Sequence, residues 1–385
     1  MDRSSLLEVD VRFGQRGIAV LRQRLRAFAE LEAADVSPLY EQFALGAAED
    51  PDVAALLGHA RDEAAVPALL LAAAHRLVQA EPFHELSSYY PSLGGTCGPD
   101  ARSWPLFREF VLERSEKMAE LIATRTVRTN EVRSAALLYP AVALAGKQVG
   151  GAIGLLEVGT CAGLRLLLDR FGYRYQTEGS GQIIVGPAKS PLGLHCVLAA
   201  APGVQLPELS RKLRVAARVG LDRAPVDATD LEQFAWLEAC VWADQPERLR
   251  LLGVAARMQT GDRPELLAGD PVDGLAAAAG RVPSGLPLVV ANSDVATRLT
   301  EEQRADYVHA LASLAAERPL WWVSDESYHS GLDLVLPGRE DLVPRRGDSA
   351  AGVLGLVHWV DGRPRAQALA RTGSHGQRLE WLPIE

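Results

Sequence analysis

The stretch from Ile153 to Tyr175 limits what this chain can fold into more than any other. Ile153 to Val158 is a short apolar run with one acid, Glu157, near its end, and it reads as a buried parallel strand. Gly159-Thr160-Cys161-Ala162-Gly163 follows as a turn of small residues. Leu164, Leu167, Leu168 and Phe171 then recur at helical spacing, which predicts a helix over 164–171. Strand, small-residue turn and helix together present backbone N–H groups and a positive helix end to a ligand. Gly159 and Gly163 allow positive φ or close backbone approach, and Glu157 at the strand tip can accept hydrogen bonds from a sugar or an amine. A plain structural reading stands beside this one, because any strand-to-helix turn in an α/β protein uses such residues.

Upstream of residue 150 the periodicity is helical. Ile18, Leu21, Leu25, Phe28 and Leu31 mark one apolar face, within a helical region predicted from residue 11. Ser37-Pro38 and Asp50-Pro51 are helix starts, and Pro67 to Ala80 is a strongly apolar helix in which His75 reads as a satisfied core histidine. From Ile153 onward the pattern changes to strands alternating with helices, which implies a parallel sheet. Expected strands end at Asp222, near Asp270, at Asn292-Ser293 and at Ser324-Asp325-Glu326. Asp230 is expected to cap the helix that carries Trp236 and Trp242. Ala350 to Val360, Asp361-Gly362 and Ala366 to Ala370 read as an antiparallel hairpin. The expected architecture is therefore a helical domain over 1–150 and a Rossmann-like, doubly wound α/β domain over 151–385 that ends in a hairpin.

Composition narrows the function classes. With 385 residues and a net charge of −9, the chain can bury a full core and is unsuited to wholesale binding of nucleic acid or anionic membrane. Four cysteines, Cys97, Cys161, Cys196 and Cys240, are scattered without a C-x-x-C pair, so neither a disulfide framework nor a metal site is indicated. The first ten residues mix charges and no apolar run is long enough to span a bilayer, so a cytoplasmic location is expected.

A second motif, Arg125-Thr126-Val127-Arg128-Thr129-Asn130-Glu131-Val132-Arg133, packs donors next to apolar sequence. Burying so many polar groups without partners is energetically costly. They form either a solvated helix start or part of a site.

Glu157-x-Gly159-x-x-x-Gly163 resembles the first motif of class I S-adenosylmethionine (SAM) methyltransferases, an acid followed by glycines spaced G-x-G-x-G, with Cys161 where the middle glycine is usual. The longer context resembles the bacterial DUF2332 family over roughly residues 10 to 330. The matching features are Ser37-Pro38-Leu39-Tyr40, the Arg125 to Glu131 motif, the Glu157 turn, Gly220-Leu221-Asp222, Trp236-Leu237 with Trp242, and Ala268-Gly269-Asp270. Arg128 and Arg165 depart from the Gln and Asn that the family pattern favours, and both add a guanidinium. The first resemblance implies a SAM site at Gly159, Thr160, Cys161 and Gly163. Its ribose acid would be Asp222, which lies well beyond the usual interval of about 20 residues in dinucleotide fingerprints.

Two enzyme classes follow. One is a SAM-dependent methyltransferase. The other keeps the scaffold without the cofactor, or binds SAM only weakly. In it Arg125, Arg128, Arg133, Arg165, Asn292 and Asp222 hold a small anionic, amine-bearing substrate, and Glu131, Glu157 and Asn130 assist the amine as it displaces sulfate or phosphate. The family resemblance implies specialised metabolism, with aziridine ring closure as one form of that displacement. A non-catalytic partner subunit of a biosynthetic complex is the third class.

Overall fold

The computed structural model describes residues 17–61, 65–178, 181–210, 212–344, 350–373 and 376–383. Residues 11–16 of the first expected helical stretch lie outside them. The chain divides into two compact units, Met1–Thr129 with Thr229–Arg250, and Asn130–Ala228 with Leu251–Glu385. The division anticipated at residue 150 therefore does not coincide with the units. Helix Ala135–Val149 packs on strands of the second unit, and Leu231–Ala239 packs against helix Pro67–Ala80 of the first.

The first unit is helical. Ser37 caps Pro38–Glu49 by accepting from the Tyr40 N–H at 3.2 Å, and its hydroxyl also donates to the Asp244 carboxylate at 2.7 Å. Asp50 caps Pro51–Leu56 through the N–H groups of Asp52 and Val53. Residues 17–28 form the first helix, and Leu21, Leu25 and Phe28 are buried as their spacing requires. Leu31 is not: it is 82% exposed. The helix ends in a π-helical turn, Ala29–Ala33, whose wider turn rotates the face so that Ala29 and Ala33 enter the core instead. His75 is buried, with Nδ1 3.1 Å from the Ala239 carbonyl and Nε2 2.8 Å from the Ser92 hydroxyl. Burial pulls its pKa down to about 4. Asp230 caps Leu231–Ala239, accepting from the N–H groups of Glu232 and Gln233 at 2.9 and 3.0 Å.

The second unit is a mixed α/β structure built on one large sheet. Its strands are β1 (Ile153–Val158), β2 (Gly172–Thr177), β3 (Gly181–Val185), β4 (Gly193–Ala200), β5 (Val215–Asp222), β6 (Glu265–Ala268), β7 (Leu288–Ser293), β8 (Leu320–Glu326), β9 (Ala350–Val360), β10 (Arg363–Gly373) and β11 (Arg378–Trp381). Their order is β3-β2-β4-β11-β10-β9-β8-β7-β1-β5-β6. Strands β8, β7, β1, β5 and β6 run parallel to one another, and the chain's order along them reverses at β1. Beyond β8 the sheet continues through antiparallel β9, β10 and β11. The β9–β10 hairpin turns at Asp361-Gly362, with φ of 51° and 73°, the paired positive values of a tight hairpin. Between β1 and β5 the chain makes an excursion, in which Gln182-Ile183-Ile184-Val185, a β-like run in the sequence, forms most of β3. Strands β2, β3 and β4 form the far end of the sheet, where β4 joins β11 in parallel.

One sheet face carries a core that includes Leu156, Val158, Val219, Leu221, Val290 and Trp322 with helices Leu275–Ala279 and Glu301–Glu317. Helix Ala135–Val149 packs against β4, β7, β8 and β9. Among the described residues no helix is long and apolar enough to cross a membrane.

Candidate functional site

The turn after β1 is built from alternating left-handed residues. Gly159, Cys161 and Gly163 have φ of 75°, 52° and 70°. Glycine adopts this conformation freely, whereas Cys161 is strained there by about 1–3 kcal/mol. Two backbone contacts hold Cys161 in place: its N–H donates to Asp222 Oδ2 at 2.9 Å, and its carbonyl accepts from the Val226 N–H at 3.0 Å. Asp222 Oδ1 accepts from the Ala224 N–H at 2.9 Å. The acid at the tip of β5 therefore ties two loops together.

The expected helix over 164–171 is a 3-10 helix, Leu164–Arg170, entered through Gly163. It lacks the aligned peptide dipoles of a longer α-helix. The chain turns into β2 immediately afterwards, which leaves no length for an α-helix.

Glu157 is 2% exposed and is held from two sides. The Thr160 hydroxyl donates to Oε2 at 2.6 Å, and the Arg165 Nε lies 2.6 Å from Oε1. Arg165 is itself 9% exposed, and its Nη1 donates to the Ser134 hydroxyl at 3.0 Å, which in turn donates to the Glu131 carbonyl at 2.7 Å. Burial pushes the Glu157 carboxyl up, against the pull of Arg165 and Thr160, while Asp222 adds a smaller upward push.

Strand periodicity collects further polar groups on this face. Residues 156 and 158, 219 and 221, 290 and 322 enter the opposite core, so Glu157, Asp222, Ser293 and Asp325 point the other way at the carboxyl ends of β1, β5, β7 and β8. Ser293 and Asp325 are register partners, and the Ser293 hydroxyl donates to Asp325 Oδ2 at 3.4 Å. Thr372 on β10 also bonds Asp325 across β9. It can do so because Gly352 lies between them: a Cβ there would come within 3.0 Å of the Thr372 hydroxyl. Burial raises Asp325 to about 6; Glu326 adds to this, and Thr372, Arg165 and Ser293 oppose it.

Other expected site residues are placed differently. The Asn292 side chain is fully engaged in the opposite core, donating to Glu326 at 2.7 Å and accepting from Trp322 Nε1 at 2.6 Å and Tyr307 at 3.3 Å. Its role there is to fix Glu326, which also accepts the N–H groups of Val295, Ala296 and Thr297. The Arg125 to Arg133 motif is split at the boundary between the units. In the first unit Arg125 lies over the Trp236 ring at 5.9 Å, and the Arg128 N–H donates to Cys240 Sγ at 3.4 Å. In the second, the Glu131 side chain accepts from the Arg133 N–H at 3.2 Å, capping the 3-10 turn Val132–Ser134, while both amide atoms of Asn130 are buried. The structure thus brings Glu157, Thr160, Arg165, Asp222 and the glycine turn together within the second unit. Ser134, Asp325 and Thr372 join them. Asp325 was legible only as a polar strand tip, and Gly352 inside a strand is the one sequence signal for Thr372.

No curated protein and no solved structure matches the chain. A family model described as "Uncharacterized protein conserved in bacteria (DUF2332)" matches residues 22–381. Because that match covers nearly the whole chain, the protein belongs to the bacterial DUF2332 family.

Proposed function

We propose that the chain is an enzyme that moves a proton on a small-molecule substrate at the carboxyl ends of β1, β5, β7 and β8, on a Rossmann-like scaffold. Asp325 carries this reading. It is a buried carboxyl lifted to about 6 at the strand tips, with hydroxyl rather than cationic neighbours in direct contact. A carboxyl group poised near neutrality is what proton abstraction from an amine or a hydroxyl needs. The carboxyl ends of parallel strands, where strand order reverses, are where open α/β sheets bind ligands. In this reading Glu157, Arg165, Thr160 and Ser134 form the rigid support. Displacement of sulfate or phosphate by the deprotonated amine is a special case and ranks lower. Arg165 already balances Glu157, so a leaving anion would meet a guanidinium that is largely neutralised.

One observation favours SAM-dependent methylation as the second reading. Asp222 ends β5, the strand beside β1, and the β2–β4 excursion accounts for its distance from the glycine turn in sequence. Against it, both Asp222 oxygens already accept backbone N–H groups.

The test is to incubate the protein with a bacterial small-molecule extract and follow compound loss by mass spectrometry, alongside calorimetry with SAM. Compound loss by the wild type that Asp325→Asn abolishes, without loss of thermal stability, supports the first reading. Saturable micromolar SAM binding that Asp222→Asn weakens supports the second. Equal compound loss by wild type and Asp325→Asn refutes the role of Asp325.

A further inference from the structure

The two outer edges of the sheet differ in how they are protected. An edge strand presents a row of backbone N–H and C=O groups that can template another strand, and proteins usually blunt such edges with charges. Edge strand β6 is blunted in this way: its first residue, Glu265, pairs with Arg281 at 2.6 Å. Edge strand β3 is not. Its sequence is Gly181-Gln182-Ile183-Ile184-Val185, without charge or proline, and Ile184 is 56% exposed. Among the described residues β3 pairs on one side, antiparallel to β2.

We propose that β3 is a self-association edge, pairing antiparallel with β3 of a second copy about a two-fold axis. Charge complementarity selects this occupant and this direction. Exposed Glu178, which also bridges Arg378 of its own chain at 3.5 Å, flanks β3 on its N-terminal side, and exposed Lys189 flanks it on its C-terminal side. An antiparallel two-fold pair centred on Ile183 sets Gln182 opposite Ile184 of the second copy. It also brings the Glu178 end of each copy to the Lys189 end of the other, so both ends gain an opposite-charge contact. A parallel pair would set Glu178 against Glu178 and Lys189 against Lys189. A two-fold interface is closed, which limits the assembly to a dimer. A five-residue strand pair buries less than the roughly 1,200–2,000 Å² of a stable interface, so the dimer is concentration-dependent.

Sedimentation velocity of the full chain over a wide concentration range tests the proposal. The wild type should shift from monomer to dimer as concentration rises. Ile184→Glu, at an exposed position whose cross-strand partner is Arg174, adds an opposite-charge pair within the chain and should hold it monomeric without lowering the melting temperature. Lys189→Glu should weaken the dimer at least several-fold by placing acid against acid, and Glu178→Lys added to Lys189→Glu should restore it by exchanging the flanks. A wild type that is monomeric throughout, or a dimer indifferent to all three variants, overturns the proposal. So does a dimer lost with Lys189→Glu that the double exchange fails to restore.

Discussion

Removing Arg165 tests whether the Glu157–Arg165 pair holds the turn together. In Arg165→Ala, Glu157 remains 2% exposed and keeps the Thr160 hydroxyl, but loses the guanidinium 2.6 Å away. Stranding one partner of a buried ion pair costs about 3–5 kcal/mol. In a unit of 150–250 residues each kcal/mol moves the melting temperature by about 2–4 °C, so the expected drop is roughly 6–20 °C. Ser134 also loses a donor, which adds to the loss. The effect should depend on pH with a defined sign. Burial already raises the Glu157 carboxyl, and without Arg165 it rises further, so acid protonates it and removes the stranded charge. The gap between wild type and variant should therefore narrow as pH falls from 7 toward 5. Replacing both partners, Glu157→Gln with Arg165→Met, should recover part of the stability. Differential scanning calorimetry of the full chain gives these values directly. A drop of less than about 2 °C, or a gap that widens in acid, would refute the reasoning and return Arg165 to the role of a free anion-binding group.

Asp325→Asn should stabilise the fold at neutral pH. A carboxyl raised from 3.8 to about 6 favours folding below pH 4 and loses that contribution as pH rises through 6, a difference of about 3 kcal/mol. Chemical denaturation at pH 7.5 and pH 4 should show the variant gaining only at the higher pH. His75 acts in the opposite direction in the helical unit. Its pKa is lowered to about 4, so the stability it confers is present above about 6.5 and is lost as pH falls toward 4. His75→Gln should flatten that acid limb of the melting curve. Gly159→Ala should destabilise the chain whether or not the turn binds a ligand, because the residue has φ of 75° and an added Cβ would approach the Val295 methyl at 2.2 Å. Thermal melts will show this, and the same clash makes any loss of ligand binding in a Gly159 variant uninformative by itself.

Features whose causes lie within one turn or one hairpin were legible in the sequence. Ser37, Asp50 and Asp230 cap helices because each side chain reaches an N–H two or three residues ahead. Asp361-Gly362 forms a hairpin because both residues accept positive φ. The apolar runs of β1, β7 and β8, each closed by polar residues, place polar tips at one end of the sheet for the same local reason. Even Cys161 fits this rule, since the turn needs a left-handed residue at the position where a glycine is usual.

What the tertiary structure decided depended on partners far along the chain. Arg165 reads from sequence as an anion-binding residue in a helix's first turn. Folding instead puts Glu157 against it and ends the helix after seven residues of 3-10 geometry, because β2 must reach β4. Leu31 keeps its place in a 3.6-residue pattern yet faces solvent, because a π-helical turn shifts the phase. Asp325 gains its raised pKa from burial, with Thr372 reaching it past Gly352. Trp381 pairs with Ala200 across most of the unit. Burial and charge pairing depend on which distant segments close on each other, and local periodicity carries no record of that choice.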